Sequence, residues 1–303
     1  MLPKLEGYAA ARLGSLDTAA LATVTGELAS LEQTVLGRAD LRAVLTDTSI
    51  AAASRGLIVH DLLNTKVHDV TLQVAVYAAS HAPAQEVPHA LAELAVASRE
   101  LSESGDFVLR GLGLLASRQR VSGFADAQLD DIESKNFDEI EDELFRWART
   151  VEGNLELRRL LLDRDAALAS RVGTVEALLA GKVDAVTLAL AMFVIEGGRS
   201  RDVVGTLDYL VDYVARARDW RVARVHTARP LDEQNRNAIV TSLSSLTGKN
   251  VELQIADSPE LLGGVLVEIG DLRLDATTRG RLGALRDAVS PGHLYESSLN
   301  RND

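Results

Sequence analysis

A Gly-Lys pair, six histidines and a surplus of carboxylates are the residues in this 303-residue chain that could do chemistry. Gly248-Lys249 could belong to a phosphate-binding loop, whose backbone N–H groups cradle phosphate while a following hydroxyl meets Mg²⁺. That loop needs a glycine five residues earlier and Ser or Thr next, and Leu243 and Asn250 stand in those places. Gly248 is therefore expected to end a helix. His60, His68, His81, His89, His226 and His293 show no HExxH or paired-ligand spacing. His60 and His68, eight apart, lie about two helical turns from each other, so no metal is expected. Nothing in the spacing brings two carboxylates into one cleft as acid and base, so no catalytic residue and no cofactor are predicted. With no cysteine, disulfide and thiolate chemistry are excluded, which fits a reducing, cytoplasmic setting.

Other work than chemistry is then indicated, and composition bounds it. The length and 47% hydrophobic content allow two or three domains, and 4% aromatic residues with abundant Ala and Leu predict mostly helix. A formal charge of -12 repels phosphate backbones and anionic headgroups, so nucleic acid is not an expected partner. The nearly uncharged run over 185–195, with Met192 and Phe193 inside it, is far shorter than the ~20 residues of a membrane span and reads as a core helix. The first residues lack a basic segment followed by an apolar stretch, and Glu6 is acidic, so no signal peptide is expected and any membrane attachment should be indirect.

An internal repeat organises the chain. Displaced by 116 positions, residues 7–80 match residues 123–196 without a gap, with 26 identities in 74 pairs concentrated at apolar and glycine positions. GYAAARL at 7–13 falls on GFADAQL at 123–129, and KVHDVTL at 66–72 falls on KVDAVTL at 182–188. Leu21, Val24, Leu28, Leu31 and Val35 keep helical spacing, as do Phe137, Ile140, Leu144, Trp147 and Val151. Further short helices are predicted over 39–46, 49–64 and 67–80, and 116 residues later. The fold class expected is mainly α, two tandem bundles of five or six helices followed by a small α/β domain. The boundaries drawn are 1–105 for the first bundle, 106–122 for a connector, 123–220 for the second bundle and 221–303 for the last domain. The segment 126–143 carries nine acidic residues and one Lys and reads as a solvated helix face.

After residue 220 the period changes. Residues 230–250 place Leu231, Ala238, Ile239, Leu243 and Leu246 on one helical face, with Asp232 as N-cap. Val251, Leu253 and Ile255, then Val265, Val267 and Ile269, alternate as half-buried strands do. Gly263 and Gly264 permit a tight turn into the second strand, a final helix uses Leu282, Leu285 and Val289, and the polar tail 290–303 reads as a loose end.

Residues 222–289 resemble the C-terminal part of F-type ATP synthase delta subunits, whose mitochondrial counterpart is the oligomycin-sensitivity-conferring protein. The resemblance rests on Thr227-Ala228, Pro230-Leu231, Gly248-Lys249, Asp257, Pro259, Leu261-Leu262-Gly263-Gly264-Val265, Ile269-Gly270-Asp271, Asp275, Arg279 and Leu282 in that order. Upstream, the Tyr-Ala helix at 8–13 and the Gly198-Arg199 turn are similar to the family's bundle, so the likeness covers nearly the whole chain. The usual subunit has one bundle; the doubled bundle resembles the actinobacterial arrangement in which delta is fused behind a membrane-anchored b-type segment, with the unfused form expected here.

The resemblance implies a stator adaptor and no catalysis: the bundle grips the amphipathic N-terminal helix of an alpha subunit, and the C-terminal domain meets the b-type peripheral stalk at the cytoplasmic face of the cell membrane. A groove for such a helix needs apolar anchors at helical spacing. Tyr8, Ala9, Arg12 and Leu13, and in the second copy Phe124, Ala125, Gln128 and Leu129, are the candidate anchors, with packing inside their own bundle as the competing reading. Two copies would accept two alpha N-termini. The first copy has Ser80-His81-Ala82-Pro83 where the second has Glu196-Gly197-Gly198-Arg199, so the copies are not expected to dock identically. The chief alternative is a helical adaptor of the same fold working outside the synthase; an enzyme assembled from unremarkable residues is more remote.

Overall fold

A computed structural model describes residues 1–130, 132, 136–219, 222–227, 231–247, 251–258, 261, 263–269 and 272–277. They divide into two compact units, Met1–Ala215 and Arg216–Asp303.

The first unit holds both copies of the repeat. The first copy comprises α1 (Pro3–Gly14), α2 (Thr18–Gly37), α3 (Ala39–Thr46), α4 (Ala52–Leu63), α5 (Asp69–His81) and α6 (Val87–Ser104). The second comprises α7 (Leu114–Leu129), α8 (Phe137–Gly153), α9 (Leu155–Leu162), α10 (Leu168–Leu179), α11 (Ala185–Glu196) and α12 (Val203–Asp219). α7 starts at Leu114, so the second half of the expected connector is helix.

The helices start and stop where local chemistry dictates. Asp17 accepts from the Ala20 N–H at 2.8 Å to cap α2, and Asn154 accepts from Leu157 at 3.0 Å to cap α9. Gly105, at φ 79°, ends α6 in the left-handed region that favours glycine. α5 and α11 are also capped from a distance, in the same way in each copy. Glu27 of α2 accepts from the His68 N–H at 2.9 Å and the Thr71 hydroxyl at 2.6 Å, while Glu143 of α8 accepts from the Asp184 N–H at 2.9 Å. Glu143 is thus buried and bonded, unlike the solvated acidic face expected for its segment.

Each amphipathic seam is buried as its spacing predicts: Leu21, Val24, Leu28, Leu31 and Val35 on α2, and Phe137, Ile140, Leu144, Trp147 and Val151 on α8. Burying each such side chain contributes roughly 1.5–3 kcal/mol. The apolar run of α11 lies in the core, with Phe193 3% exposed.

The copies are not separate bundles, because α1 lies directly on α7. A Cβ added to Gly7 would sit 1.8 Å from the Arg120 carbonyl oxygen, and one added to Gly123 would sit 1.8 Å from the Lys4 carbonyl oxygen. Gly7 and Gly123 are repeat equivalents, as are Lys4 and Arg120, so the crossing is reciprocal. Only a residue without a side chain permits backbones so close. Around it Tyr8 stacks on Tyr77 at 3.7 Å, and the equivalent Phe124 stacks on Phe193 at 3.8 Å. Phe124 and Ala127 of α7 pack into the first copy's core, which makes that core common to both copies.

In the second unit β1 (Val222–Thr227), α13 (Glu233–Thr247), β2 (Glu252–Asp257), β3 (Val265–Ile269) and β4 (Leu272–Asp275) form a sheet of order β2-β1-β3-β4. β1 and β2 are parallel, which demands a crossover, and α13 supplies it. β3 pairs antiparallel with β1 and β4, in registers such as Val225 with Val267 and Glu268 with Arg273. Ala223, Val225, Leu243, Val251, Val267 and Ile269 form the buried core, with Leu231, Ile239, Leu253, Ile255 and Val265 packed on it. Gly264 at φ 79° has no room for a Cβ, which would lie 2.3 Å from the Ala276 carbonyl oxygen, so the turn before β3 requires it. The expected final helix with Leu282, Leu285 and Val289, and the tail 290–303, lie outside the described residues.

Gly7→Ala and Gly123→Ala are expected to destabilise the chain by at least about 1–3 kcal/mol, the ordinary range for overpacking, measured by urea unfolding. Gly26→Ala, where an added Cβ meets nothing within 4 Å, is expected to stabilise by about 0.5–1 kcal/mol.

Candidate functional site

The α1–α7 crossing takes up most of the residues expected to face a partner. Tyr8, Ala9 and Leu13 are 3%, 0% and 0% exposed, and Ala125 and Leu129 are 0% and 1% exposed. Arg12, Phe124 and Gln128 are partly buried. Their helical spacing reflects burial inside the helical unit: Tyr8, Ala9 and Leu13 belong to the first copy's core, Tyr8 and Phe124 stack on Tyr77 and Phe193 of their own copies, and Tyr8 also reaches Asp130 of the other copy. A foreign helix resting on the five buried side chains would first have to displace part of the bundle.

Polar groups tie the crossing together. Asp126 on α7 accepts from the Tyr77 hydroxyl of α5 at 2.7 Å and from the Tyr213 hydroxyl of α12 at 2.6 Å, and Lys4 of α1 lies 3.0 Å away. The Tyr8 hydroxyl donates to Asp130 at 3.0 Å, and Arg12 faces the same carboxylate at 3.7 Å. Burial raises the pKa of Tyr8, Tyr77 and Tyr213 above the ordinary phenol value, and the carboxylates, Asp130 beside Tyr8 and Asp126 beside the other two, raise it further. Asp126 stands where the first copy has Ala10, so its three-way contact was not inferable from the repeat.

The exterior carries two grooves. The first, of about 920 Å³, lies among α2, α3 and α4, with Leu31, Leu41, Val44, Leu62, Leu63 and Val67 as its apolar wall. The second, of about 580 Å³, lies among α8, α9 and α10, with Trp147, Leu157, Leu160, Leu178, Leu179 and Val183. Every residue lining the second groove stands 116 positions after one lining the first. Val44 and Leu160, equivalent on the two walls, are 37% and 39% exposed, and Leu178 is 40% exposed. Apolar side chains left open at matched places on both copies point to contact with another chain. The signal lay in the repeat: Leu41, Leu62, Leu63 and Val67 are identical to their equivalents, yet the helix-1 pattern drew the expectation elsewhere.

Of the C-terminal motif residues, Leu231 packs on the sheet core, and Gly263 and Gly264 form the turn before β3. Pro230, Gly248, Lys249, Leu262, Gly270, Asp271 and Arg279 lie outside the described residues. Among the described residues no group of three or more His, Cys, Asp or Glu could hold a metal ion, and no helix is long and apolar enough to cross a membrane.

Comparison with known proteins brings these features under one description. The family model described as ATP synthase delta (OSCP) subunit matches residues 121–289, which is the second copy and the C-terminal unit. Curated relatives extend over both copies. A protein named ATP synthase subunit delta from Nocardia farcinica is 32% identical over 93% of this chain and 94% of its own. Those of the same name from Salinispora tropica and Rhodococcus opacus are 31% and 30% identical over 90% of this chain, covering 90% and 88% of their own lengths.

The tyrosine seam predicts a pH dependence. The unfolded chain releases phenolic protons at about pH 10, whereas the fold holds those of Tyr8, Tyr77 and Tyr213 to higher pH, so stability is full below pH 10 and falls as pH rises above it. A phenolate absorbance titration should show three of the five tyrosines failing to ionise near pH 10 until the chain unfolds. Reversible ionisation of all five in the folded chain near pH 10 would contradict the described packing.

Proposed function

The chain belongs to the ATP synthase delta (OSCP) subunit family, and from that membership we propose that it is a stator adaptor whose two helical modules hold the catalytic head while its C-terminal domain holds the b-type peripheral stalk. As a delta subunit it is a non-catalytic part of the membrane-associated synthase. Its own residues do mechanical work: rotation of the central shaft applies torque to the head, and synthesis requires a restraint that keeps the head from turning with the shaft. In this reading the complex works at the cytoplasmic face of the membrane.

The single observation that carries the head-binding half of this reading is the pair of grooves lined at equivalent positions. Each has apolar residues at helical spacing on its walls, as recognition of an amphipathic helix requires. The occupants proposed are N-terminal helices of alpha subunits, one per groove. Tyr8, Ala9, Arg12 and Leu13, with Phe124, Ala125, Gln128 and Leu129, act in this reading by joining the two modules, so that a head held by one groove is presented to the other at high effective concentration. The four-stranded sheet and α13 form the part assigned to the stalk.

Mixing the full chain with a purified catalytic head and sedimenting the complex tests the assignment. Leu41→Glu with Val44→Glu, or Leu157→Glu with Leu160→Glu, places charge on one groove wall and is expected to weaken head binding at least tenfold, about 1.4 kcal/mol, at a temperature where an unfolding curve shows the variant still folded. The fourfold variant should lose more than either pair alone. Undiminished binding by the fourfold variant would overturn groove docking, and no binding of the unaltered chain to an intact head would overturn the adaptor role.

A further inference from the structure

The two copies match closely enough that each serves as a control for the other: a cluster of side chains present in one alone is not required by the packing of the module. One such cluster lines a cleft of about 310 Å³ where the segment joining the copies passes the end of α11. Arg110, Arg120, Arg164, Arg199 and Arg201 converge on it, with Glu196 the one carboxylate. In the first copy the positions equivalent to Arg120, Arg164, Glu196, Arg199 and Arg201 hold Lys4, Thr48, Ser80, Pro83 and Gln85, so one basic residue remains of four. Arg110 comes from the joining segment, between the last helix of one copy and the first of the next.

The cleft is built on fixed parts. Arg120 is 2% exposed and pinned: its Nε donates to the Gly197 carbonyl at 2.8 Å, and its Nη1 donates to the Arg110 carbonyl at 2.8 Å and to Glu6 at 3.2 Å. The turn after α11 leaves no room for side chains, since a Cβ at Gly197 would lie 2.5 Å from the Phe193 ring and one at Gly198 would lie 2.2 Å from the Val194 carbonyl oxygen. That turn brings Arg199 and Arg201 to the same mouth. Arg120 is balanced by Glu6, but among the described residues Arg110, Arg164, Arg199 and Arg201 form no ion pair, and neither does Glu196. Four guanidinium groups against one carboxylate leave three positive charges gathered on a chain whose formal charge is -12.

We propose that this cleft binds a compact multivalent oxyanion of the phosphate type, either free inorganic phosphate or the phosphate end of a nucleotide. Guanidinium forks match phosphate oxygens bidentately and stay charged at any working pH. A lone carboxylate would answer one of the three surplus charges; a phosphate or diphosphate answers more of them within a small volume. The proposal stands on the cleft alone and not on groove docking, so failure of either leaves the other intact.

Calorimetric titration of the full chain at constant ionic strength, with inorganic phosphate, ADP and chloride in separate arms, tests it. Saturable binding of phosphate or ADP but not chloride is expected, weakened at least tenfold by Arg199→Gln with Arg201→Gln, and unchanged by Arg99→Gln on the exposed face of α6. Arg164→Gln, remote from the α11 turn in sequence, should weaken binding in the same direction and serves if the double variant misfolds. Tighter binding of phosphate than ADP assigns the cleft to the free ion, and the reverse assigns it to the nucleotide. Binding no stronger than chloride, or insensitive to both arginine variants, would overturn the proposal. So would displacement of phosphate by a short oligoglutamate peptide that binds more tightly, because the cleft would then belong to acidic side chains of a protein partner.

Discussion

The approach of the α1 and α7 backbones through Gly7 and Gly123 is the constraint on which the helical unit depends. Each glycine admits the other helix's carbonyl to a distance that a Cβ would forbid, and each stands at the same place in its copy. Across the crossing Phe124 and Ala127 take a place in the first copy's core, beside the stacks of Tyr8 on Tyr77 and Phe124 on Phe193, and the two modules form one compact unit.

Polar groups at the crossing add specificity to the glycine contact. Asp126, 7% exposed, would be costly to bury without partners, and two tyrosine hydroxyls and Lys4 supply them from three different helices. Because its equivalent is Ala10, this knot exists on one side only, and it distinguishes two modules that share a backbone. The arginine cleft at the α11 turn shows the same divergence. Duplication has kept the framework, the caps from Glu27 and Glu143 and the groove walls, and has left the joining surfaces free to specialise.

Much of this fold was legible in the residues. The two amphipathic seams, the short helices that follow them and the strands at 251–255 and 265–269 all lie where period and turn chemistry indicate. The strands β1 and β4 were less visible, since VARVHT is short and carries an Arg and a His, and LRLD is four residues long. At the candidate site an apolar helix face was legible, with a foreign helix and the residues' own bundle both open as what covers it; in the structure Tyr8 stacks on Tyr77 and Phe124 on Phe193 of their own copies, beside the α1–α7 crossing. Spacing reports that a face is buried and says nothing of what buries it. The clue that decided for internal packing was the pairing of Gly7 with Gly123, a signal whose meaning depends on knowing that the two helices cross. Asp126 and the arginines of the cleft gave no repeat signal at all, because each is specific to one copy.

A delta-family chain with two grooves has a different mechanical character from one with a single groove. On the proposed docking, two attachments on one compact unit resist rotation of the head as well as its detachment, which a stator under torque requires. The number of alpha N-terminal peptides bound per chain tests this most directly, by titration calorimetry with the full chain. The account predicts a stoichiometry of two, reduced to one when either groove wall is charged. A stoichiometry of one in the unaltered chain, or of two that persists with both walls charged, would contradict it.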